Sequence, residues 1–243
     1  MKQLLIYESP FVLNREQHRH ARVKAGDLGF SFARELNSAP INAVEFAPAA
    51  RDYPIVFAGE GDNVTMPAVL TGLANDNNLY VDDAGRWAEG HYVPAFFRRY
   101  PFVTGEKGNG ADDFNVCIDA PALTEESTGI RLFEDSGANS PLLDHAVSFL
   151  TDYQRAVERT QALMRQITES GVLEAKTVRV EREGNTSNVM SGFSVINEER
   201  LQKLSGKALA QLSKTGALGL MYVHLLSLAN VQRLATRADA LRA

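Results

Sequence analysis

Residues 140–171 read SPLLDHAVSFLTDYQRAVERTQALMRQITESG, and this stretch predicts one long helix. Ser140 is a residue type that caps helix N-termini, Pro141 suits the first helical position, and Gly171 suits a helix end. We expect the helix to pack lengthwise on a second helix within residues 215–241 of the same chain, with a homodimer as the alternative. The packing stripe has seven residues at alternating steps of four and three: Ala146, Leu150, Tyr153, Val157, Thr160, Met164 and Ile167.

Upstream of this helix the chain consists of short apolar runs separated by turn residues, which is the pattern of antiparallel strands. Residues 176–196 alternate similarly around a turn and predict a hairpin-like insertion. We therefore predict an α+β fold with a single domain over residues 1–243. Its mainly β region, 1–135, packs an antiparallel sheet against long helices from a mainly α region, 136–243, with a small β insertion near 176–196. The predicted strands include 43–46, 53–57, 67–70, 78–81 and 114–118.

Composition places the chain among folded proteins rather than disordered or membrane-spanning ones. It has 243 residues, of which 44% are hydrophobic and 23% charged. The apolar patch at the N-terminus is shorter than a signal-peptide core, and the apolar stretch 217–229 is about half of the roughly 20 residues that a membrane span requires, which favours a buried helix. Cys117 has no cysteine partner and is expected to pack inside a strand. We predict a cytoplasmic protein with no membrane span.

Charge is distributed unevenly along the chain. The net charge is −5, and residues 197–243 carry seven basic and three acidic side chains, which leaves −9 on residues 1–196. The basic residues recur at helical spacing without interleaved aromatic residues, so they indicate a solvated helix face rather than a nucleic-acid surface. We expect no nucleic-acid partner.

The residues with catalytic or metal-binding chemistry form no complete motif. His18 and His20 would share one face of a strand and take two positions of a metal centre, but no nearby ligand completes the set. His224 lies in an apolar helical segment and is interpreted as a core histidine bonded to another helix. The acidic pairs 82–83 and 112–113 are interpreted as caps of backbone amides. Nucleotide-binding and hydrolase motifs are absent from the sequence, and we predict no metal and no cofactor.

Residues 85–102 are the most informative candidate for a binding surface. Arginine and aromatic side chains dominate protein-binding hot spots, and Arg98 or Arg99 could hold a carboxylate or phosphate. The alternative is that the aromatic residues fill the core and the arginines are structural. As neighbours on a strand, Arg98 and Arg99 would face opposite ways, so we expect one to bind and the other to be structural or solvated. The candidate residues are Arg86, Trp87, Tyr92, Arg98, Arg99, Tyr100 and Phe102.

The same region resembles the SapC family of bacterial proteins. The resemblance is carried by DYPIVF (52–57), PAVLTGL (67–73), NLYVD (78–82), GRW (85–87), YVP (92–94) and RRYPF (98–102), and it continues through 117–119, 131–133 and 224–228. The family is named for a gene associated with surface-layer protein export. The resemblance therefore implies one domain, a bacterial source and a role in export or uptake, and it brings no catalytic residues with it.

Two functional hypotheses follow. The first is a non-enzymatic accessory protein, monomeric or homodimeric, that binds a protein or peptide partner or a small anionic ligand. The second is an enzyme or enzyme subunit acting on a peptide or amino-acid-like substrate, with acid–base or metal chemistry from a histidine. Convergence of two or more histidines with a carboxylate in one cleft would favour the enzyme. The histidines considered are His18, His20, His91 and His224.

Overall fold

The computed structural model describes residues 6–26, 28–59, 66–106, 114–182 and 185–241. Its strands form three antiparallel sheets, ordered β10-β11-β4-β5-β3, β1-β7-β6 and β8-β2-β9. The strands are β1 (Pro10–Val12), β2 (Arg22–Val23), β3 (Ser38–Pro40), β4 (Ile55–Ala58), β5 (Met66–Leu70), β6 (Phe102–Glu106), β7 (Phe114–Asp119), β8 (Leu123–Thr124), β9 (Ile130–Arg131), β10 (Leu173–Arg182) and β11 (Asn185–Ile196).

Antiparallel sheets dominate the N-terminal half and helices the C-terminal half, so the predicted α+β class is confirmed. β4 lies at the centre of the largest sheet, and its residues Ile55, Val56 and Phe57 are all buried, as expected for a strand covered on both faces. The helices are α1 (Phe46–Ala50), α2 (Ala95–Arg98), α3 (Pro141–Glu169), α4 (Glu198–Gln202), α5 (Gly206–Thr215), α6 (Ala217–Ser227) and α7 (Asn230–Ala240).

The long helix α3 begins and ends as predicted. The Ser140 side chain accepts a hydrogen bond from the Leu143 amide (3.3 Å), and Pro141 is the first helical residue. All seven residues of the predicted stripe are buried within a single chain. The stripe therefore needs no second copy of the protein to cover it.

The predicted packing partner of α3 is correct only in part, because α6 is one of several elements that contact it. Residues 215–241 form α6 and α7 rather than one helix, and α3 packs along its length on several elements. These are β5, β6, α5, α6 and the 3₁₀ turn Ala43–Glu45, which is tied to α3 by a hydrogen bond from the Ala43 amide to the Thr160 hydroxyl (2.8 Å). A periodic stripe shows that a helix face is buried, but it does not specify whether a helix or a sheet covers it.

Two predicted strands also differ from the structure. Residues 43–46 form the 3₁₀ turn and the start of α1, because Asn42 and Glu45 make a capping box in which the Asn42 amide donates to the Glu45 carboxylate (2.8 Å). Residues 78–81 contain only an isolated bridge between Val81 and Trp87. The remaining predicted strands are present, whereas the acidic pair 112–113 lies outside the described residues.

The predicted hairpin is confirmed and belongs to the central sheet. β10 pairs with β11, and β11 pairs in turn with β4 through Phe193 and Ser194. The apolar stretch 217–229 is only half buried, because α6 buries Met221 and His224 while Tyr222 and Leu226 are 49% and 76% exposed. Within the described part of the chain, no helix combines the length and the apolar character needed to cross a membrane.

Candidate functional site

The seven candidate residues do not form one surface. Arg98, Arg99, Tyr100 and Phe102 line a cleft of about 360 Å³, which we call the arginine cleft. Arg86 and Trp87 line a separate cavity of about 390 Å³. Tyr92 connects to the arginine cleft through a hydrogen bond with Arg98 (3.2 Å).

The arginine cleft combines basic side chains with apolar walls. It is formed where the end of α2 and the start of β6 meet β2, β9 and the first turns of α3. Among the described residues that line it, none carries a carboxylate. The basic lining residues are Lys24, Arg98, Arg99 and His145, and the apolar walls include Val23, Leu28, Phe102, Ile130, Leu142, Ala146, Phe149 and Leu150.

Arg98 and Arg99 have different environments, as predicted, but not because they lie on a strand. Arg98 is the last residue of α2 and Arg99 follows it, so successive side chains are about 100° apart around the helix. Arg98 is exposed, whereas Arg99 is only 3% exposed. The Arg99 guanidinium lies 4.6 Å from the ring centroid of Phe96 and 5.1 Å from that of Tyr153. These contacts favour Arg99 as the structural member of the pair.

The Arg98 guanidinium is held at the edge of the cleft by two hydrogen bonds. Its Nε donates to the Val93 carbonyl (3.0 Å), and Nη2 donates to the Tyr92 hydroxyl (3.2 Å). The guanidinium carbon also lies 5.4 Å from the Phe149 ring centroid. No described residue accepts a hydrogen bond from Nη1, so this edge of the guanidinium remains available to a ligand.

Behind Arg98 lies a buried carboxylate that sequence analysis missed. Glu45 Oε1 accepts hydrogen bonds from the Tyr92 hydroxyl (2.9 Å) and the Ala95 amide (2.7 Å). Burial and the neighbouring Glu45 raise the pKa of Tyr92 to about 12, so the hydroxyl stays protonated and connects Glu45 with Arg98. The Asn42-x-x-Glu45 spacing was the signal that could have identified this residue as a cap rather than a strand position.

A second depression of about 280 Å³ adjoins the arginine cleft and shares Gly26, Leu28, Arg98 and Tyr100 with it. We call it the aromatic lobe; its own walls are Phe30, Phe32 and Phe97, with Gly29 completing the lining. Phe32 stacks on Tyr100, with 4.2 Å between ring centroids. Sequence analysis missed these residues, although the closely spaced aromatic pair after Gly29 was a visible signal.

In the cavity beside Trp87, Arg86 is held by a carboxylate close to it in the sequence. Arg86 is paired with Asp82 (2.8 Å between Nη2 and Oδ2), and Asp82 Oδ1 accepts hydrogen bonds from the amides of Ala84 and Arg86 (each 2.9 Å). These bonds, most of all the one from the Arg86 amide, lower the pKa of Asp82. The interpretation of Asp82 as a cap of backbone amides is therefore confirmed.

The histidines do not converge on one cleft. Residues 15–20 are turns rather than a strand, so the expected shared face for His18 and His20 is absent. His145 lines the arginine cleft. His91 does not line it; its Nδ1 lies 3.4 Å from Asp52 Oδ1. Across the described ranges, no group of three or more His, Cys, Asp or Glu side chains could hold a metal ion.

Two buried groups behave as core residues. His224 Nε2 accepts a hydrogen bond from the Ile196 amide (3.0 Å) at the end of β11. The predicted bond to another helix is therefore wrong, because the partner lies on a strand. Burial lowers the pKa of His224 to about 4. Cys117 is buried within β7, and burial raises the pKa of its thiol, so the expected apolar packing of this residue is confirmed.

We predict that His224 makes the protein less stable as the pH falls from 6.5 to 4. In that range the unfolded chain takes up a proton that the folded protein excludes, because the pKa drops from 6.5 in the unfolded chain to about 4 on folding. The free energy of unfolding should fall by about 3 kcal/mol. Urea denaturation at a series of pH values should show a flatter profile for His224→Gln, whereas His20→Gln at an exposed position should follow the wild type. Parallel profiles for His224→Gln and wild type would contradict this prediction.

Comparison with known proteins identifies one match over most of the chain. A family model described as SapC matches residues 13–234 of the 243 residues. No curated protein and no solved structure matches the chain. The matched range includes β2, α2, β6 and α3, which build the arginine cleft.

Proposed function

This chain belongs to the SapC family, and from that premise we propose that it is a non-enzymatic accessory protein that binds an anionic ligand in the arginine cleft. The bound molecule is a peptide, a protein segment or a small anion with an apolar body. The accessory role is in a bacterial export or uptake system, with the protein acting in the cytoplasm.

The observation that carries this proposal is the combination of the exposed Arg98 guanidinium with apolar walls. Lys24 and His145 add two further exposed basic side chains to the same cleft. Apolar walls reduce the exposure of a bound anion to water, and hydrogen bonds between charged groups are about twice as strong as those between neutral groups. A ligand that pairs an anionic group with an apolar body would satisfy both parts of the lining.

Arg98 is also held in place before any ligand binds. Its bonds to Val93 and Tyr92 restrict the guanidinium, and the bond from Tyr92 to Glu45 restricts the tyrosine in turn. A side chain that is already ordered loses less conformational entropy on binding. This arrangement favours Arg98 over the buried Arg99 as the ligand-binding arginine.

The enzyme hypothesis has narrower support. The His91–Asp52 contact resembles an acid–base pair, since a carboxylate can orient an imidazole. However, Asp52 Oδ2 already accepts a hydrogen bond from the Tyr92 amide (2.8 Å), which gives this carboxylate a structural role. The scattering of the histidines favours the binding protein.

We predict that Arg98→Lys weakens ligand binding without lowering the melting temperature, and that Arg99→Lys lowers the melting temperature. Lysine retains the charge at position 98 but loses the planar fork that holds a carboxylate. At position 99 it loses the stacking on aromatic rings. Calorimetric titration measures binding of two carboxylates, each with a neutral counterpart: decanoate with decanol, and N-acetylphenylalanine with its amide. Thermal melting measures stability.

Arg159→Lys, at an exposed position on α3 away from the cleft, is the matched control and should change neither quantity. We expect at least a tenfold loss of carboxylate binding for Arg98→Lys. The proposed function is wrong if no carboxylate binds to the wild type, or if the Arg98 and Arg159 variants bind alike. Affinity purification from a bacterium that carries the protein, followed by mass spectrometry, would then identify the natural partner.

A further inference from the structure

The arginine cleft and the aromatic lobe adjoin at Arg98 and Tyr100, which both line each of them. From this two-part shape we infer that the ligand is the free C-terminus of a peptide whose last two residues are apolar. The inference rests on the proposed function and adds to it the class of ligand and the position of each of its parts. The terminal carboxylate binds Arg98, and one side chain enters each depression.

The two depressions offer different surfaces to the two side chains. Phe30, Phe32 and Phe97 give the aromatic lobe ring faces and edges that suit an aromatic residue. On the side of the arginine cleft, Ile130 and Leu142 provide an aliphatic wall that suits leucine or isoleucine. Successive side chains of an extended peptide point to opposite sides of its backbone, so the last two residues can each reach one depression.

A carboxylate fits the charged part of this site better than a larger anion would. The single guanidinium of Arg98 presents Nη1 and Nη2 in the planar arrangement that pairs with the two oxygens of a carboxylate. A phosphate is normally surrounded by several fixed donors or a cluster of arginines. Among the described lining residues, Arg98 supplies the only exposed guanidinium, and apolar groups flank it, with Phe149 on one side and Leu28 lining both depressions.

The division of the site into two depressions favours a peptide over a single acyl chain. Their volumes are about 360 Å³ and 280 Å³, near the lower limit of roughly 300 Å³ for sites that enclose a drug-sized ligand. Each can take one apolar side chain, while the rest of a peptide continues outside the cleft. A single acyl chain with its carboxylate at Arg98 would occupy one depression and leave the other empty.

The test compares the pentapeptide Gly-Ser-Gly-Leu-Phe with its C-terminal amide. Calorimetric titration should show binding of the free acid and at least a tenfold loss for the amide, because the charge-assisted bond to Arg98 is removed. Replacing either the Leu or the Phe of the peptide by Ser should weaken binding about tenfold. Trp87 is the only tryptophan and lies 5.4 Å from the ring centroids of both Phe30 and Phe97, so its fluorescence should change when the peptide's Phe binds.

Variants of the protein assign the parts of the peptide to their positions. Arg98→Lys should remove most of the difference in affinity between the free-acid peptide and its amide. Phe32→Leu should reduce the difference in affinity between the peptide that ends in Phe and the one that ends in Ser. Arg159→Gln should bind like the wild type. If Phe32→Leu proves unstable, the Ser-for-Phe peptide tests the same contact on the wild-type protein.

The outcomes separate this inference from the proposed function. Equal binding of acid and amide, or of the Ser-containing and original peptides, would overturn the peptide C-terminus. Tighter binding of N-decanoylphenylalanine than of the pentapeptide would overturn it in favour of a lipid-like ligand, while leaving an anion-binding protein in place. Failure of every carboxylate to bind, peptides included, would overturn both.

Discussion

Leu150→Asp should unfold the protein. Leu150 is 1% exposed on α3 and belongs to a buried cluster with Phe102, Ile118, Leu132 and Leu143. An aspartate there must be buried as an unpaired charge or protonated, and either change removes the apolar packing as well. We expect a loss of at least about 5 kcal/mol, which is comparable to the entire stability of many domains. Circular dichroism should show the loss of cooperative thermal melting.

Ser148→Asp is the matched control, because Ser148 lies on the exposed side of the same helix. It should change the free energy of unfolding by no more than about 0.5 kcal/mol. Sedimentation of both variants tests the alternative partner of the stripe. If Leu150→Asp stays folded and only changes its oligomeric state, the stripe contacts a second copy of the protein and our assignment of α3 to the core is wrong.

Glu45→Ala should produce the second-largest effect, although Glu45 is one acidic residue among many in the sequence. The side chain is only 3% exposed and accepts hydrogen bonds from the Asn42 amide, the Tyr92 hydroxyl and the Ala95 amide. Removing it leaves three donors without their acceptor, and each unsatisfied buried donor costs about 1–3 kcal/mol. We expect a loss of about 4 kcal/mol and a melting temperature lower by roughly 10 °C, measured by calorimetry.

Two further variants make this prediction specific. Glu45→Gln keeps an acceptor oxygen and should lose less stability than Glu45→Ala, while Glu35→Ala at an exposed site should leave the melting temperature unchanged. Since Tyr92 connects Glu45 with Arg98, Glu45→Gln should also weaken carboxylate binding at temperatures where the protein remains folded. A Glu45→Ala protein as stable as the Glu35→Ala protein would show that the buried carboxylate does not hold α2 in place.

Reasoning from sequence identified four residues that line one cleft, Arg98, Arg99, Tyr100 and Phe102, and their binding role remains a prediction. These residues could be selected from the sequence because arginine and aromatic side chains are the types that carry binding energy. The assignment of Arg98 and Arg99 to a strand was wrong, since Pro94 precedes the short helix α2 and a single helical turn has too few residues for a periodic pattern. The cleft's other exposed basic residues, Lys24 and His145, were not associated with it, because Lys24 precedes Arg98 by 74 residues and His145 follows Arg98 by 47 residues.

The sequence by itself determined the features that depend on near neighbours along the chain. Ser140, Asn197 and Ser205 cap α3, α4 and α5 because side-chain oxygens reach backbone amides three residues ahead, and this requires no distant contact. The buried stripe of α3 was likewise readable from its period of 3.6 residues, and β4 and β5 were readable as short, continuous apolar runs.

Only the tertiary structure decided what covers the stripe, which arginine is exposed and which residues surround it. Those outcomes depend on contacts between segments far apart in sequence, such as α3 with the turn Ala43–Glu45, or Lys24 with Arg98 and His145 across one cleft. Burial and hydrogen bonding act on neighbours in space, whatever their separation along the chain. The same residue type is therefore a packed core group at position 99 and an exposed side chain at position 98.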